Sequence, residues 1–238
     1  MHAFLLSSLL VLAPVLATAP PGPWDAFNFA PRSKTVLPAA IYSTNGRVSN
    51  AAKLVRNAGT ATLRGKGSWV ALDFGVEVGG LISMRFSDVD PTASVSLSFT
   101  ESPMFIRPDA SDDSTFPTEN TTYDGVLRVP APLTTTSLWT QSATTLRGGF
   151  RFLTVVSASD GPVTISNISC AIAFMPHVEN LRDYAGYFFA KDPVMHDPDF
   201  LTKLWYAGAY TVQTNTVSLH TGRQIPTVSS PGTLNSAE

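Results

Sequence analysis

Apolar side chains recur at every second position through the middle of this chain. Val70, Leu72 and Phe74 follow that rule, and Gly75 and Gly79-Gly80 then supply turns. Ile82, Met84 and Phe86 alternate with Ser83, Arg85 and Ser87, and Val95, Leu97 and Phe99 alternate with Ser94, Ser96 and Ser98. A period of two predicts antiparallel strands with one buried and one wet face. Further strands are expected around 126–129, 150–156, 163–165 and 168–174. Short strands separated by turn residues at fairly regular spacing predict a mainly β protein, a β-sandwich of jelly-roll type spanning 61–176.

The period changes toward the C-terminal end. Asp197-Pro198-Asp199 reads as a helix start: Asp197 can cap free amides, Pro198 suits the first helical position, and Asp199 favours the positive end of the dipole. Leu201, Leu204, Trp205, Gly208 and Val212 then recur at three- and four-residue spacing, which predicts a helix over 197–219. Trp205, lying in that stripe, is expected to pack into a core. The stripe itself must either rest on the sandwich or stay exposed, and exposure favours self-association. Elsewhere the pattern is weak. Residues 18–60 read as an extended segment with a proline-rich connector and one short strand near Val36-Leu37, 177–196 as a linker, and 220–238 as an irregular tail.

With 238 residues and 44% hydrophobic content the chain can bury a core. A net charge of −2 with 14% charged residues gives no electrostatic case for nucleic acid or an anionic membrane. The run from Phe4 to Leu16 is apolar over a signal-peptide length and too short for an ordinary membrane span. Residues 1–17 are therefore expected to be a signal peptide, cleaved after Ala17, with Ala19 as the alternative and an uncleaved anchor as the competing reading. A secreted protein, free of the membrane once the leader is removed, follows. Asn120-Thr121-Thr122 and Asn167-Ile168-Ser169 are acceptors for N-glycans on that route. Cys170 is the only cysteine, so no internal disulfide forms; its alternation with Ile168, Ile172 and Phe174 predicts a small core residue, not a reactive thiol.

Candidate chemistry is sparse. Asp109, Asp112, Asp113 and Glu119 cluster in a polar loop but lack a calcium-loop spacing, so a solvated loop is expected and no metal site. His177, His196 and His220 are scattered without zinc spacing, and no cofactor motif is present. Asp73 with Glu101, or Asp88 with Asp90, can be proposed as a glycosidase carboxylate pair, yet strand ends and turns ordinarily carry solvated acids. Trp24, Trp69 and Trp139 can stack on sugar rings; Trp69 begins an alternating strand and is expected in the core, which leaves Trp139, flanked by Ser and Thr, as the possible sugar contact.

Several runs, in one order, carry a family resemblance. Trp69-Val70-Ala71-Leu72-Asp73-Phe74-Gly75 with Gly79-Gly80 resembles the opening strands of a galactose-binding-like sandwich. Leu146-Arg147-Gly148-Gly149-Phe150-Arg151-Phe152-Leu153-Thr154 resembles a late strand of the same domain. Leu204-Trp205-Tyr206-Ala207-Gly208-Ala209-Tyr210-Thr211 and Thr221-Gly222-Arg223-Gln224 resemble the beginning of a helical barrel. Over residues 24–225 the combination resembles the N-terminal part of fungal α-L-rhamnosidase-like glycoside hydrolases, the six-hairpin group. The resemblance implies a galactose-binding-like β-sandwich leading into an (α/α)6 barrel, with 197–219 as its first helix. It also implies inverting hydrolysis of terminal α-L-rhamnosides by a carboxyl acid and a carboxylate base.

In that family both carboxylates come from later barrel helices, and no position here matches them, so no catalytic residue is carried over. Twelve helices of about twelve residues each need about 140 residues before loops, and one is legible. The expectation is thus an accessory portion, truncated before the barrel and catalytically silent, whose partner is carbohydrate, a rhamnosylated glycoside or polysaccharide. An autonomous carbohydrate-binding module is the alternative.

Overall fold

The computed structural model of the protein describes residues 19–111 and 125–218. The leader, Asp112, Asp113, Glu119, Asn120 and the tail from 219 lie outside the described residues. In chain order the elements are β1 (Thr35–Val36), β2 (Ala40–Ser49), β3 (Ala61–Val78), β4 (Gly80–Ser87), β5 (Val95–Thr100), β6 (Leu127–Arg128), β7 (Leu138–Thr140), β8 (Phe150–Ser157), β9 (Val163–Ile172) and α1 (Phe200–Thr214). Short 3-10 turns at Pro23–Phe27, Ala51–Asn57, Pro103–Phe105 and Ala143–Thr145 fill the connections. No helix among the described residues is long and apolar enough to cross a membrane.

The described strands form one antiparallel sheet in the order β6-β5-β8-β3-β9-β4-β7, with β1 on β9 and β2 on β3. It curls into a sandwich because β3 serves both layers. Trp69–Asp73 pairs with β8, whereas Ala61–Leu63 pairs with β9. Between these stretches β3 bulges: Asn45 of β2 faces Trp69, and two residues on Arg47 already faces Arg64. Gly46, Gly65 and Gly67 take left-handed φ values of 74°, 85° and 81° there, which L side chains rarely adopt. The Ser68 hydroxyl closes the bulge, donating to the Arg64 carbonyl at 2.6 Å and accepting from the Arg47 amide at 3.1 Å.

Both layers send side chains into one core. Leu97, Phe99, Phe150 and Val155 meet Ile82, Met84, Phe86, Ile165 and Cys170, all fully buried. Phe150 sits at the centre, with its ring edge-on to Phe74 at 5.5 Å and to Phe99 at 5.1 Å, the arrangement aromatic quadrupoles favour. Cys170 is buried as expected from its alternation, and burial pushes its thiol up to about 12, which leaves it inert.

Four features differ from the sequence-based expectations. The segment 18–60 holds a ten-residue strand, β2, beside the short β1. It lies at the sheet's edge with most side chains exposed, so its residues carry no apolar period. The serine side of β5 is not wet: Ser96, Ser98 and Thr100 are buried, as are Val156, Thr154 and Phe152 opposite them on β8. There the Ser98 hydroxyl donates to the Ala110 carbonyl, and Tyr42 and Arg151 close over Phe152 at 5.1 and 5.2 Å. The two strands expected at 163–165 and 168–174 are one, β9, with a bulge at Asn167 (φ 51°), whose side chain is exposed.

The fourth difference concerns α1. It starts at Phe200, capped by Asp199 without a side-chain bond. Asp197 instead forms the turn before it: one carboxylate oxygen accepts from the Asp199 amide at 3.1 Å and the other from Lys203 Nζ at 2.7 Å. The helix buries Thr202, Tyr206, Tyr210 and Gln213, not its apolar stripe. Leu201, Leu204 and Val212 remain 39%, 56% and 70% exposed, and Trp205, expected in a core, is exposed as well.

Candidate functional site

Residues in or next to three of the runs that carry the family resemblance come together at one end of the sandwich. Glu77 and Val78 end β3, Gly79 makes the turn into β4, and Leu146 to Gly149 lead into β8. Thr214, Asn215 and Val217 arrive from the C-terminal end of α1, and Val217 pairs with Phe174 as an isolated bridge. Together these walls enclose a groove of about 490 Å³, within the range of small-molecule sites, roughly 300–1,000 Å³.

The groove is held open by docking on a hydroxyl-bearing helix face. Thr202, Tyr206, Tyr210 and Gln213 recur at helical spacing, and each polar group has a partner. Thr202 exchanges hydrogen bonds with the Ala190 backbone, both at 2.9 Å. Tyr206 stacks on Tyr184 with centroids 5.9 Å apart. The Tyr210 hydroxyl donates to the Glu77 carbonyl at 2.6 Å, and its ring meets Phe174 edge-on at 5.9 Å. Gln213 donates to the Leu181 carbonyl at 2.8 Å and accepts from the Tyr184 hydroxyl at 3.1 Å. Burial raises the pKa of Tyr210, and that of Tyr184 to about 12, so both stay neutral donors.

The polar groups on the groove wall are Glu77, Glu101, Arg147 and Asn215, beside apolar Val78, Leu146 and Phe174. Arg147 is well fixed: its guanidinium lies 5.6 Å from the Phe99 ring centroid, and Nη2 donates to the Gly125 carbonyl at 3.0 Å. Gly149 makes room for Glu77, since a Cβ there would stand 2.8 Å from Glu77 Oε1. Two carboxylate acceptors, a guanidinium and an amide around an apolar floor can hydrogen-bond a hydroxyl-rich ligand.

Of the candidate residues named from sequence, Glu101 lines the groove and the others fall elsewhere. Asp73 is engaged by Arg151 in a two-point ion pair of 2.8 and 2.9 Å and also accepts from the Gly75 amide at 2.6 Å. Its former companion Glu101 lines the groove instead with Glu77, a pairing invisible in the sequence because β3 and the segment after β5 meet only through the fold. Asp88 and Asp90 stand at the turn after β4, where Asp90 is bound to the Thr92 hydroxyl and amide. Trp139 lies on β7 opposite Met84, half-buried against the core with its ring 6.5 Å from Phe86, and does not line the groove. No group of three or more His, Cys, Asp or Glu that could hold a metal occurs among the described residues.

No protein-family model matches the chain, and neither does any curated protein. Among solved structures it is similar to a rhamnosidase from Klebsiella oxytoca with rhamnose bound, at 15% identity and a TM-score of 0.48, covering 82% of this chain and 37% of that one. The chain therefore spans little more than a third of that rhamnosidase's length. It is also similar to the CBM32 of AlyQ in complex with 4,5-unsaturated mannuronic acid, at 11% identity and a TM-score of 0.36, covering 56% of this chain and 97% of the module. The low-affinity xylan-binding module CBM86 from Roseburia intestinalis gives 10% identity and a TM-score of 0.35, with 58% and 93% covered.

Proposed function

We propose that this chain is a secreted accessory β-sandwich of an α-L-rhamnosidase-like glycoside hydrolase, fastened to the first helix of a catalytic barrel and silent by itself. One observation carries the reading. α1 is held through Tyr210, which bonds to the end of β3, and through Thr202, Tyr206 and Gln213, which meet Ala190, Tyr184 and Leu181 of the preceding segment, while Leu201, Leu204 and Val212 stay exposed. A helix held by its polar face, with its apolar face free, is oriented to receive further helices. Asp73 is held ionised by Arg151, which lowers its pKa. Glycoside hydrolysis needs one carboxyl kept protonated. The purified chain is expected to release no aglycone above background from an aryl α-L-rhamnoside. Turnover that disappears in Glu77→Gln or Glu101→Gln would overturn the reading.

The groove favours a second reading, an autonomous carbohydrate-binding module. Its mixture of acceptors, donors and apolar floor supports a sugar ligand without catalysis. Calorimetric titration with rhamnose separates the two: saturable binding lost in Glu101→Ala supports the module, and no heat in either protein leaves the accessory role alone. Secretion supplies N-glycans in both readings, and the exposed bulge position of Asn167 suits an acceptor.

A further inference from the structure

Arg182 occupies a second site, away from the groove, in which its guanidinium is held by backbone carbonyls and not by an ion pair. The guanidinium reaches from the segment after Leu181 to the N-terminal turn. Nη1 donates to the carbonyls of Asn28 and Ala30 at 2.5 and 2.8 Å, and Nη2 to the Asp25 carbonyl at 3.0 Å. Asn28 returns the contact through its side-chain amide, which donates to the Arg182 carbonyl at 3.1 Å. Every one of these acceptors is a neutral carbonyl. The Asp25 carboxylate is directed to its own turn, accepting from the Gly22 amide at 3.0 Å.

A second guanidinium, Arg32, lines the same hollow of about 360 Å³ with Asp25, Ala26 and Asn28. An adjoining hollow of about 400 Å³ shares Asn28, Arg32 and Arg182. Partial burial first, and the Arg32 charge second, lower the pKa of Arg182, against smaller opposing effects of Tyr184 and Asp25. Neither arginine has a carboxylate within ion-pair distance among the described residues. Arg182 has five donors in a fixed fork; after its three carbonyl bonds it retains Nε–H and one Nη2–H. These remaining donors are available to the oxygens of a carboxylate or phosphate. Like charges brought together cost energy, and an anion between them returns it.

We propose that Arg32 and Arg182 form a binding site for a compact oxyanion, the carboxylate of an acidic sugar or a free phosphate, with Arg182 as the fixed fork and Arg32 as the mobile clamp. The site is independent of the rhamnosidase reading and shares no residue with the groove.

The test is calorimetric titration of the whole chain at low salt with sodium glucuronate, inorganic phosphate and, as the uncharged control, glucose. At least one anion is expected to bind saturably, glucose not at all, and high salt should weaken the binding. Arg32 is exposed, so Arg32→Ala leaves the fold intact; it should weaken binding roughly tenfold or more, with Arg32→Lys in between. Binding of glucuronate alone identifies a sugar acid, and equal binding of phosphate identifies a general oxyanion site. Absence of saturable binding by either anion, equal binding of glucose, or indifference to Arg32→Ala would each overturn the proposal.

Discussion

Asp73 shows how one side chain on the sandwich surface is committed. Arg151 grips it with two nitrogens, and that hydrogen bonding is the main cause of its lowered pKa, against an ordinary value of 3.8. The folded state holds this carboxylate more tightly charged than the unfolded chain does. Its stabilisation is therefore complete above the ordinary value and lost as pH falls through the lowered one. Because Arg151 remains largely exposed, the pair contributes only about 0.5–1 kcal/mol. Asp73→Asn is expected to lower the urea midpoint at neutral pH, and the difference from the parent should close as the pH falls through the lowered value. An undiminished difference in acid would assign the effect to the Gly75 turn instead.

At the level of elements, the legible parts are those whose buried side chains are aliphatic or aromatic at a constant period. β4 and β5 were readable from Ile82, Met84, Phe86, Val95, Leu97 and Phe99, and all six are buried. β2 was not, because an edge strand needs no apolar face, and the outer side of β5 reads as wet although its serines are covered, with the Ser98 hydroxyl bonded to the Ala110 carbonyl. α1 was legible as a helix while its seat was not. Hydropathy selects Leu201, Leu204 and Val212, but the buried face is drawn from Thr, Tyr and Gln, whose partners on β3 and on the 181–190 segment are brought to them only by the fold. The groove shared this fate, since Glu77, Glu101 and Arg147 are brought together from separate segments of the chain. Tyr210→Phe tests the seat: it leaves the Glu77 carbonyl without its donor and should cost about 1 kcal/mol. Limited proteolysis should then cut within α1 sooner than in the parent while the β-sheet circular dichroism is unchanged.

For the whole molecule, the outward stripe of α1 is the dominant unsatisfied surface. Phe200, Leu201, Leu204, Trp205 and Val212 expose apolar side chains along one helix, with Gly208 between them open to close approach. Such a patch favours association, and a net charge of −2 offers little repulsion against it. The isolated chain is expected to self-associate with rising concentration in sedimentation velocity, and Leu204→Lys with Val212→Lys should return it to a monomer. Persistence of the same oligomer in the double variant would move the contact elsewhere. The seat beneath that stripe has a thermal consequence. Undocking α1 breaks directional hydrogen bonds and uncovers two tyrosine rings, whereas separating the layers around Phe150 and Ile82 uncovers a larger apolar surface and so carries the larger heat-capacity change. Cooling therefore weakens the cohesion of the sandwich more than the grip on the helix. The joint and the body it is fixed to answer temperature by different laws.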